Sequence, residues 1–560
     1  RFSKRHIIVC LKVFEILIML TGCAMVYLQS PLGLYAVLFL LCTHSALFGP
    51  SKYGIVPELV PTERLSRANA VVEGLTYLAI IFGTFIPSYF LINLFPKDYF
   101  ALTIFSVGVA VAGLFSGWRI ERTPAARSVR PFSSLFVPDI FKTLRRVSAD
   151  RDLLTTIIGA AYFMFLAAFI QQDTLLYGQD FLRLDWIRCG YLFPVAAFGI
   201  GAGALLAGRL SGRNIEFGIV PVGAFGLAFS SMALSTVTPE LGPVLALIFL
   251  IGFFSGLFIV PLEAFIQFRA PVTQRGEILA CTNFLSFVGV ALSAGALYLL
   301  NGVLGLDAGQ CFVVVGLLTG VLAAVSLVVL PDFFVRFVIL IITRCIYRIR
   351  AVGLENVPTD GGALLVSNHV TWVDALLIGA TQQRRVRFIM AREMYDKWPF
   401  KPIFKIMRVI PVSPADPPHQ IAASLQEARA ALDDGYLVCI FAEGAITRNG
   451  NLRGFRHGME RILKGSRHPV VPVYIGGAWG SIFSYYHGKM LSTFPKKIPY
   501  PVTLMFDPPM PASSSSAGVE QTVSEMSGRW FDLLKTGGRS LPTRFVRAAL
   551  SVVALALLAL

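Results

Sequence analysis

Charge is scarce in this chain. Asp, Glu, Lys and Arg make up 15% of 560 residues, against 55% hydrophobic residues. Mean hydropathy is +0.67, a balance that water-soluble domains do not show. The charge that is present leans one way: 49 Lys and Arg against 33 Asp and Glu, a net +16. No basic-aromatic module accompanies that excess, which argues against nucleic acid as a partner. Cytoplasmic loops and surfaces facing anionic lipid account for it better. Cysteine is sparse and scattered (Cys10, Cys23, Cys42, Cys189, Cys281, Cys311, Cys345, Cys439), with no CxxC pair and no metal-ligand spacing. A disulfide framework and a metal centre are therefore not expected, and the thiols read as reduced packing residues. The sequence starts at Arg1 without Met or a signal-peptide pattern, and Ala548–Leu560 is almost wholly apolar. Both ends read as cut from a longer chain, with 541–560 as the possible start of a truncated further region.

What is abundant is apolar sequence in span-length segments of roughly 20 residues. They fall near 6–28, 33–57, 68–93, 99–118, 153–176, 188–208, 215–235, 242–266, 278–301 and 307–330. Basic residues alternate between the connecting loops. One set carries Arg1, Lys4, Arg5, Arg64, Arg67, Arg119, Arg122, Arg127, Arg130, Lys142, Arg145, Arg146, Arg151, Arg209, Arg213, Arg269, Arg275 and Arg336, and the other little beyond Lys97 and Arg183. The positive-inside rule places the first set, and everything after 330, in the cytoplasm. Pro61-Thr62-Glu63-Arg64 precedes one span, and Pro271-Val272-Thr273-Gln274-Arg275 precedes another. Two repeated halves around a basic central loop at 119–152 make a transporter architecture.

Polar side chains inside spans are costly, so each is a candidate for a transport pathway: Glu15, His44, Lys52, Glu73, Gln171, Gln172, Asp173, Glu263 and Asn283. Other roles stay open. Lys12 and Glu15, one turn apart, also fit mutual neutralisation. Lys52, Glu58 and Asp173 fit interface depth, and His44 a hydrogen bond within the bundle. As a set they suit a polar passage for the headgroup of an amphiphile.

Arg1–Arg5 resembles the basic loop between helices 2 and 3 of major facilitator carriers. Ser45-Ala46-Leu47-Phe48-Gly49-Pro50-Ser51-Lys52-Tyr53-Gly54-Ile55-Val56-Pro57-Glu58-Leu59 resembles the helix 4 signature of the bacterial lysophospholipid transporter branch. The resemblance covers residues 1–330 and implies that the ten spans are helices 3 to 12.

Residues 331–349 read as an interfacial helix and linker, since Phe333–Ile342 is apolar but short and is followed by Arg344, Arg348 and Arg350. From about 350 to 540 the pattern is α/β. Expected strands are Ala363–Val366, Val386–Met390, Val409–Val412, Leu437–Phe441, Val470–Ile475 and Val502–Phe506. Expected helices are Asp374–Thr381, Ala391–Met407, Ile421–Asp433 and Gly454–Lys464. Ala391–Met407, with Lys397, Trp398, Phe400, Lys401, Phe404 and Lys405, suits either a membrane-facing platform or a plain surface helix.

Asn368-His369-Val370-Thr371-Trp372-Val373-Asp374 follows the first of those strands. A carboxylate that orients an imidazole makes a general base for a hydroxyl; a helix-start His and a first-turn Asp would look alike. Phe441-Ala442-Glu443-Gly444-Ala445-Ile446-Thr447-Arg448 follows a second strand, and a Gly turn with an arginine suits an anionic headgroup. With Val470–Ile475, the order and spacing of these elements resemble the glycerolipid acyltransferase superfamily over about 345–535. Ala442 stands where that family has proline, Ile446 where it has arginine, and Pro414 where its second motif often ends in arginine. Phe441–Arg448 together with Trp479-Gly480-Ser481-Ile482-Phe483-Ser484 resembles the acyltransferase fused to a lysophospholipid carrier, the 2-acylglycerophosphoethanolamine acyltransferase fusion family.

The resemblances imply an α-helical polytopic membrane domain of major facilitator type followed by an α/β glycerolipid acyltransferase domain. They imply His369 as base and Asp374 as its orienter, with Asn368, Glu443, Gly444, Thr447 and Arg448 holding the acceptor. They imply acyl-carrier-protein or acyl-CoA thioester as cosubstrate with no bound cofactor, lysophospholipid and membrane lipid as partners, and acyl carrier protein as the partner donor. They place the chain in a bacterial inner membrane with the acyltransferase domain cytoplasmic. The leading expectation is lysophospholipid transport, favouring lysophosphatidylethanolamine, followed by re-acylation. The alternatives are lysophosphatidate acylation with a membrane anchor, and a carrier of some other solute.

Overall fold

The computed structural model describes residues 3–61, 64–89, 98–124, 136–184, 189–211, 215–271, 273–329, 331–492 and 498–535. The segment 541–560 and the loop residues Lys97, Arg127, Arg130 and Arg213 lie outside them. The described chain divides into two compact units, one ending at Val329 and one running from Pro331 to Lys535.

The first unit is all helix. Each expected span meets a helix: α1 (Lys4–Tyr27), α2 (Pro31–Leu59), α3 (Leu65–Tyr89), α4 (Tyr99–Trp118), then, after the short amphipathic α5 (Phe136–Val147), α6 (Arg151–Asp180). There follow α7 (Leu192–Ser211), α8 (Ile219–Ala233), α9 (Leu241–Arg269), α10 (Arg275–Leu297, extended by a π turn to Val303) and α11 (Ala308–Val329). Among the described residues, eight of these are long and apolar enough to cross a membrane by length and composition, while Ile219–Ala233 is shorter. Side-chain oxygens start several of them: Ser3 accepts from the His6 N–H, Ser30 from Gly33, Asp98 from Ala101 and Asp150 from Leu153.

The tightest helix contact has a sequence cause. Gly199 and Gly203 lie one turn apart on α7, and Gly252 and Gly256 one turn apart on α9. Each presents its missing side chain to the other helix's backbone. A Cβ on Gly203 would collide with the Phe253 carbonyl, and one on Gly252 with that of Ala196. Small residues at this spacing let two backbones approach closely where no hydrophobic effect drives the pairing.

The second unit opens with α12 (Pro331–Ile346) and β1 (Tyr347–Val352). The expected linker is therefore structured to its end and part of this unit. Asp332 pairs with Arg385 at 2.7 Å, and Arg336 donates to the Gln382 carbonyl at 2.6 Å and the Gln383 carbonyl at 3.1 Å. The helix stops where Tyr347-Arg348-Ile349-Arg350 begins to alternate with period two. The sheet order is β1-β7-β6-β2-β5-β3-β4, with β2 (Ala363–Ser367), β3 (Val386–Ala391), β4 (Ile410–Val412), β5 (Leu437–Phe441), β6 (Val470–Gly476) and β7 (Tyr500–Phe506). All neighbours are parallel except β6 and β7.

β2 is buried at every position, as a strand covered on both faces must be. Ala363 and Leu365 face a core shared with Leu377, Ile378 and Phe388. Leu364 and Val366 face the other core, built on α16 (Pro418–Asp433), α17 (Gly458–Leu463) and α18 (Ser516–Lys535). The first of these cores includes the short α13 (Asp374–Gly379). The expected helix Ala391–Met407 is instead two pieces, α14 (Arg392–Tyr395) and α15 (Lys401–Ile406). Pro399 cannot donate the amide that a continuous helix needs, and its ring disfavours a helical Trp398.

Because the α7–α9 contact tolerates no side chain, Gly203→Val and Gly252→Val should each lower the thermal unfolding temperature of the purified chain by more than about 5 °C. Gly295 on α10 meets open space, and Gly295→Ala should leave that temperature unchanged or slightly raised. Differential scanning fluorimetry in one detergent reads all three.

Candidate active site

The site stands at the C-terminal ends of two adjacent central parallel strands, where open α/β sheets place their ligands. Ser367 of β2 is level with Phe441 of β5. His369 and Glu443, each two residues further, therefore leave the sheet in step. The Glu443 Oε1 accepts the His369 N–H at 3.1 Å.

Asp374 begins α13 and is fully buried. Its Oδ2 accepts from His369 Nδ1 at 2.8 Å, from the Val370 N–H at 2.5 Å and from the Thr371 N–H at 2.8 Å. Its Oδ1 accepts from the Thr371 hydroxyl at 2.5 Å. A buried carboxylate needs such a full set of donors to remain charged. The set also wraps the His369–Asp374 loop around one carboxylate and fixes the proton on Nδ1. The imidazole stacks on Phe441, with centroids 4.2 Å apart, and lines the cleft. Its Nε2 is thereby the nitrogen left to accept a proton. The Trp372 N–H donates to the Phe483 carbonyl at 3.2 Å, and Thr371 bridges to Ser484, so the 479–484 segment braces the loop from outside.

The cleft measures about 860 Å³. One part is apolar, lined by Phe388, Met390, Met394, Leu425, Ile440 and Phe441. Another is cationic: Arg448, Arg453, Arg456 and Arg461 all line it and all are exposed. The Arg448 guanidinium stacks over Tyr485 at 3.7 Å from the ring centroid. Gly444 has φ +70°, and a Cβ there would press on the Arg456 side chain, so the glycine leaves that guanidinium its place. Glu393 adds a carboxylate to the wall. The Ser413 hydroxyl donates to it and holds its pKa below the usual range. Phosphate beside the arginines, a chain along the apolar wall and a hydroxyl at His369 would fit together here.

Three residues expected to hold the acceptor have other partners in this geometry. Asn368 is buried and bonds to Ile475 in both directions, accepting from its N–H at 2.8 Å and donating to its carbonyl at 3.2 Å. It ties β2 to β6. The Thr447 hydroxyl is buried in its own turn, donating to the Asn451 carbonyl at 2.8 Å and accepting from the Gly450 N–H at 3.1 Å. Glu443 is 2% exposed and lies behind His369 rather than in the cleft. Burial pushes its pKa up to about 7, against the pull of the His369 and Arg453 backbone N–H groups. Gly444 and Arg448 do line the cleft. No motif marks Arg453, Arg456, Arg461 or Glu393 in the sequence. The basic run Arg448–Arg461 just past the Glu-Gly turn was the available signal.

In the first unit the polar candidates form separate groups. Lys12 Nζ lies 2.9 Å from the Glu15 carboxylate and His44 Nε2 3.6 Å from it, which is the mutual neutralisation open from the spacing. Lys52 donates to Thr76 at 2.7 Å. Gln172 donates to Ser293 at 3.1 Å and Asn283 to the Ala46 carbonyl at 3.3 Å. Asp173 is fully buried, with no hydrogen bond to either oxygen among the described residues. Glu263 is half-buried, Gln171 is exposed, and the Glu73 side chain lies outside the described residues. A reciprocal amide pair not foreseen joins α3 to α9: Asn69 and Gln267 each donate to the other at 3.0 Å. All eight cysteines are free thiols.

Comparison with known proteins fits this division. Residues 1–294 match the model of the Major Facilitator Superfamily. The chain belongs to that superfamily. Residues 348–476 of this Major Facilitator Superfamily chain match a second model, Acyltransferase, so a membrane carrier unit and an acyltransferase domain are joined in one chain. A lysophospholipid transporter, LplT, of Klebsiella pneumoniae (strain 342) is 28% identical over 283 residues, covering 45% of this chain and 65% of its own. A probable 1-acyl-sn-glycerol-3-phosphate acyltransferase of Mycoplasma pneumoniae is 30% identical over 144 residues, covering 24% of this chain and 52% of its own. The chain thus spans less than two thirds of the length of either relative. A solved structure, the 1-acyl-sn-glycerophosphate (LPA) acyltransferase PlsC from Thermotoga maritima, is 21% identical, covering 37% of this chain and 83% of its own with a TM-score of 0.29.

Glu443 gives the site a pH signature. Its folded pKa of about 7 lies above the ordinary 4.5. Its contribution to stability is therefore fully present below about pH 4.5 and is lost as pH rises through 7. Glu443→Gln removes the titration and keeps an acceptor for His369. Its thermal unfolding temperature should match wild type at pH 4 and exceed it at pH 8. A gap that does not widen with pH contradicts the assignment.

Proposed function

We propose that the chain moves lysophospholipid across the bacterial inner membrane and re-acylates its free glycerol hydroxyl on the cytoplasmic side. The observation that carries the enzymatic half is the His369–Asp374 pair at the base of a cleft that is part arginine-lined and part apolar. A lysophospholipid has one anionic group, one chain and one free hydroxyl, which match those three features. His369 Nε2 removes the hydroxyl proton. The oxygen attacks the thioester carbonyl of acyl-carrier protein or acyl-CoA, the thiolate leaves, and the proton returns to it from the imidazole. Asp374 stabilises the imidazolium between those steps. Arg448, Arg453, Arg456 and Arg461 hold the phosphate. Cys439 is buried in β5 with its pKa raised by burial, which supports direct transfer over an acyl-enzyme.

For the acceptor we favour lysophosphatidylethanolamine. Pro414 lines the cleft where the family's second motif often supplies arginine, and the Glu393 carboxylate lies on the same wall. Pro414 gives that wall no arginine for a phosphate monoester, and Glu393 offers an anion to an ammonium group. The name of the Mycoplasma relative favours a second reading, acylation of lysophosphatidate with the membrane unit as an anchor.

The full chain, reconstituted with acyl-carrier-protein thioester and each labelled acceptor, separates these readings. Wild type should acylate lysophosphatidylethanolamine in preference to lysophosphatidate, and His369→Ala should lower kcat by about 10²–10⁴-fold. Transfer to lysophosphatidate alone selects the second reading, and transfer to neither rejects both. Glu393→Gln should lower kcat/KM for lysophosphatidylethanolamine by about tenfold while sparing lysophosphatidylglycerol. An equal loss on both acceptors contradicts the ammonium role. Flipping of labelled lysolipid in the same vesicles should survive His369→Ala.

A further inference from the structure

The cleft wall carries a second histidine that the acyl transfer does not use. His457 lines the cleft beside Arg456 and Arg461, and 77% of its side chain is exposed. The ring is nevertheless held. Its Nδ1 lies 3.2 Å from Glu460 Oε2 and 3.1 Å from the Ser516 hydroxyl. Glu460 Oε1 accepts the Ser516 N–H at 2.7 Å. One turn further along α18, Glu520 accepts the Phe455 N–H at 2.9 Å. The start of α18 thus clasps the segment 455–460 and fixes the imidazole that rides on it.

The clasp decides which ring nitrogen is available. Hydrogen bonds from the Ser516 N–H and hydroxyl, and from His457, pull the Glu460 pKa down to about 2. The group beside Nδ1 is therefore a carboxylate, which only accepts, so Nδ1 carries a hydrogen. Nε2 is the nitrogen left for a ligand. In the neutral ring it offers a lone pair; in the protonated ring it offers an N–H and a positive charge. The charged groups around it are Arg456, Glu460 and Arg461 on its own segment and Glu520 on α18. Arg448 and Arg453 come from the turn after β5, and Glu393 and Lys397 from elsewhere on the wall. An anion drawn in by the guanidiniums would be repelled by a lone pair at Nε2 and would bond to an N–H there. A fifth arginine would keep its charge at every pH, whereas a histidine changes charge near neutrality.

We propose that His457 is a specificity-determining residue for the acceptor: its protonated ring donates Nε2–H to the headgroup phosphate, and its neutral ring does not. This deepens the acyl-transfer reading and rests on its placement of the phosphate among the arginines. The two cleft histidines then make opposite demands. His369 must be neutral to take the hydroxyl proton, and His457 must be charged to help hold the phosphate. Acceptor binding therefore weakens as pH rises, while the chemical step does not.

The test uses the full chain reconstituted in vesicles with saturating acyl thioester, between about pH 5.5 and 8.5. The wild-type KM for lysophosphatidylethanolamine should rise about fivefold over that range. His457→Gln should hold the high value throughout and His457→Arg the low one, each with the wild-type kcat at every pH. Monoacylglycerol, which keeps the chain and the hydroxyl without the phosphate, should show one KM in all three proteins. A KM that rises with pH equally in wild type and His457→Gln overturns the proposal. So does a loss shared by both variants, or one that extends to monoacylglycerol, since either marks a structural role. A second readout needs no turnover. In calorimetric titration with sn-glycero-3-phosphoethanolamine, wild type should bind about fivefold more tightly than His457→Gln at the acid end of the range and equally at the alkaline end; equal binding at the acid end overturns the proposal. Absence of all transfer by wild type rejects the acyl-transfer reading, and the titration then decides the role of His457 alone.

Discussion

The acyltransferase domain is organised around one buried charge. Asp374 has no exposed surface and would be strongly destabilising without donors. Its donors are two backbone amides, one hydroxyl and the His369 imidazole. Satisfying the carboxylate therefore fixes the loop, and fixing the loop sets the base. The same interaction selects the imidazole tautomer and turns Nε2 to the cleft. Loop conformation and base orientation thus depend on the same carboxylate.

Around this point the domain separates two kinds of surface that an amphiphile needs together. The arginines come from the chain just after β5, while the apolar wall comes mainly from β3, β5 and α16. Neither element could supply both, because strands buried on two faces carry apolar residues and the turn after a strand carries polar ones. The parallel register of β2 and β5 brings the base to the boundary between them. In the first unit the polar groups are distributed among helix contacts, and the closest approach, α7 to α9, depends on four glycines.

Much of this was legible in the sequence. β2, β5 and β6 announce themselves as continuous apolar runs, and the His–Asp spacing survives as a hydrogen bond. β1 was not read, because Arg348 and Arg350 alternate with its apolar residues and imitate the polar end of a helix. Ala391–Met407 has helical periodicity, and only the backbone cost of Pro399 divides it. Asn368 and Thr447 look like binding residues because polar groups beside a motif do; both are consumed by backbone that the fold brings to them. Arg453, Arg456 and Arg461 had no motif to mark them, and only the folded turn gathers them at one cleft.

The central claim is that His369 and Asp374 act as one unit on a lipid hydroxyl. A double-mutant cycle on single-turnover acyl transfer tests it most directly, using Asp374→Asn, His369→Ala and both together in the full chain. The account predicts that Asp374→Asn alone slows transfer by about 10²–10⁴-fold, and that adding it to His369→Ala costs almost nothing more. Losses that multiply, or an Asp374→Asn rate equal to wild type, would contradict it.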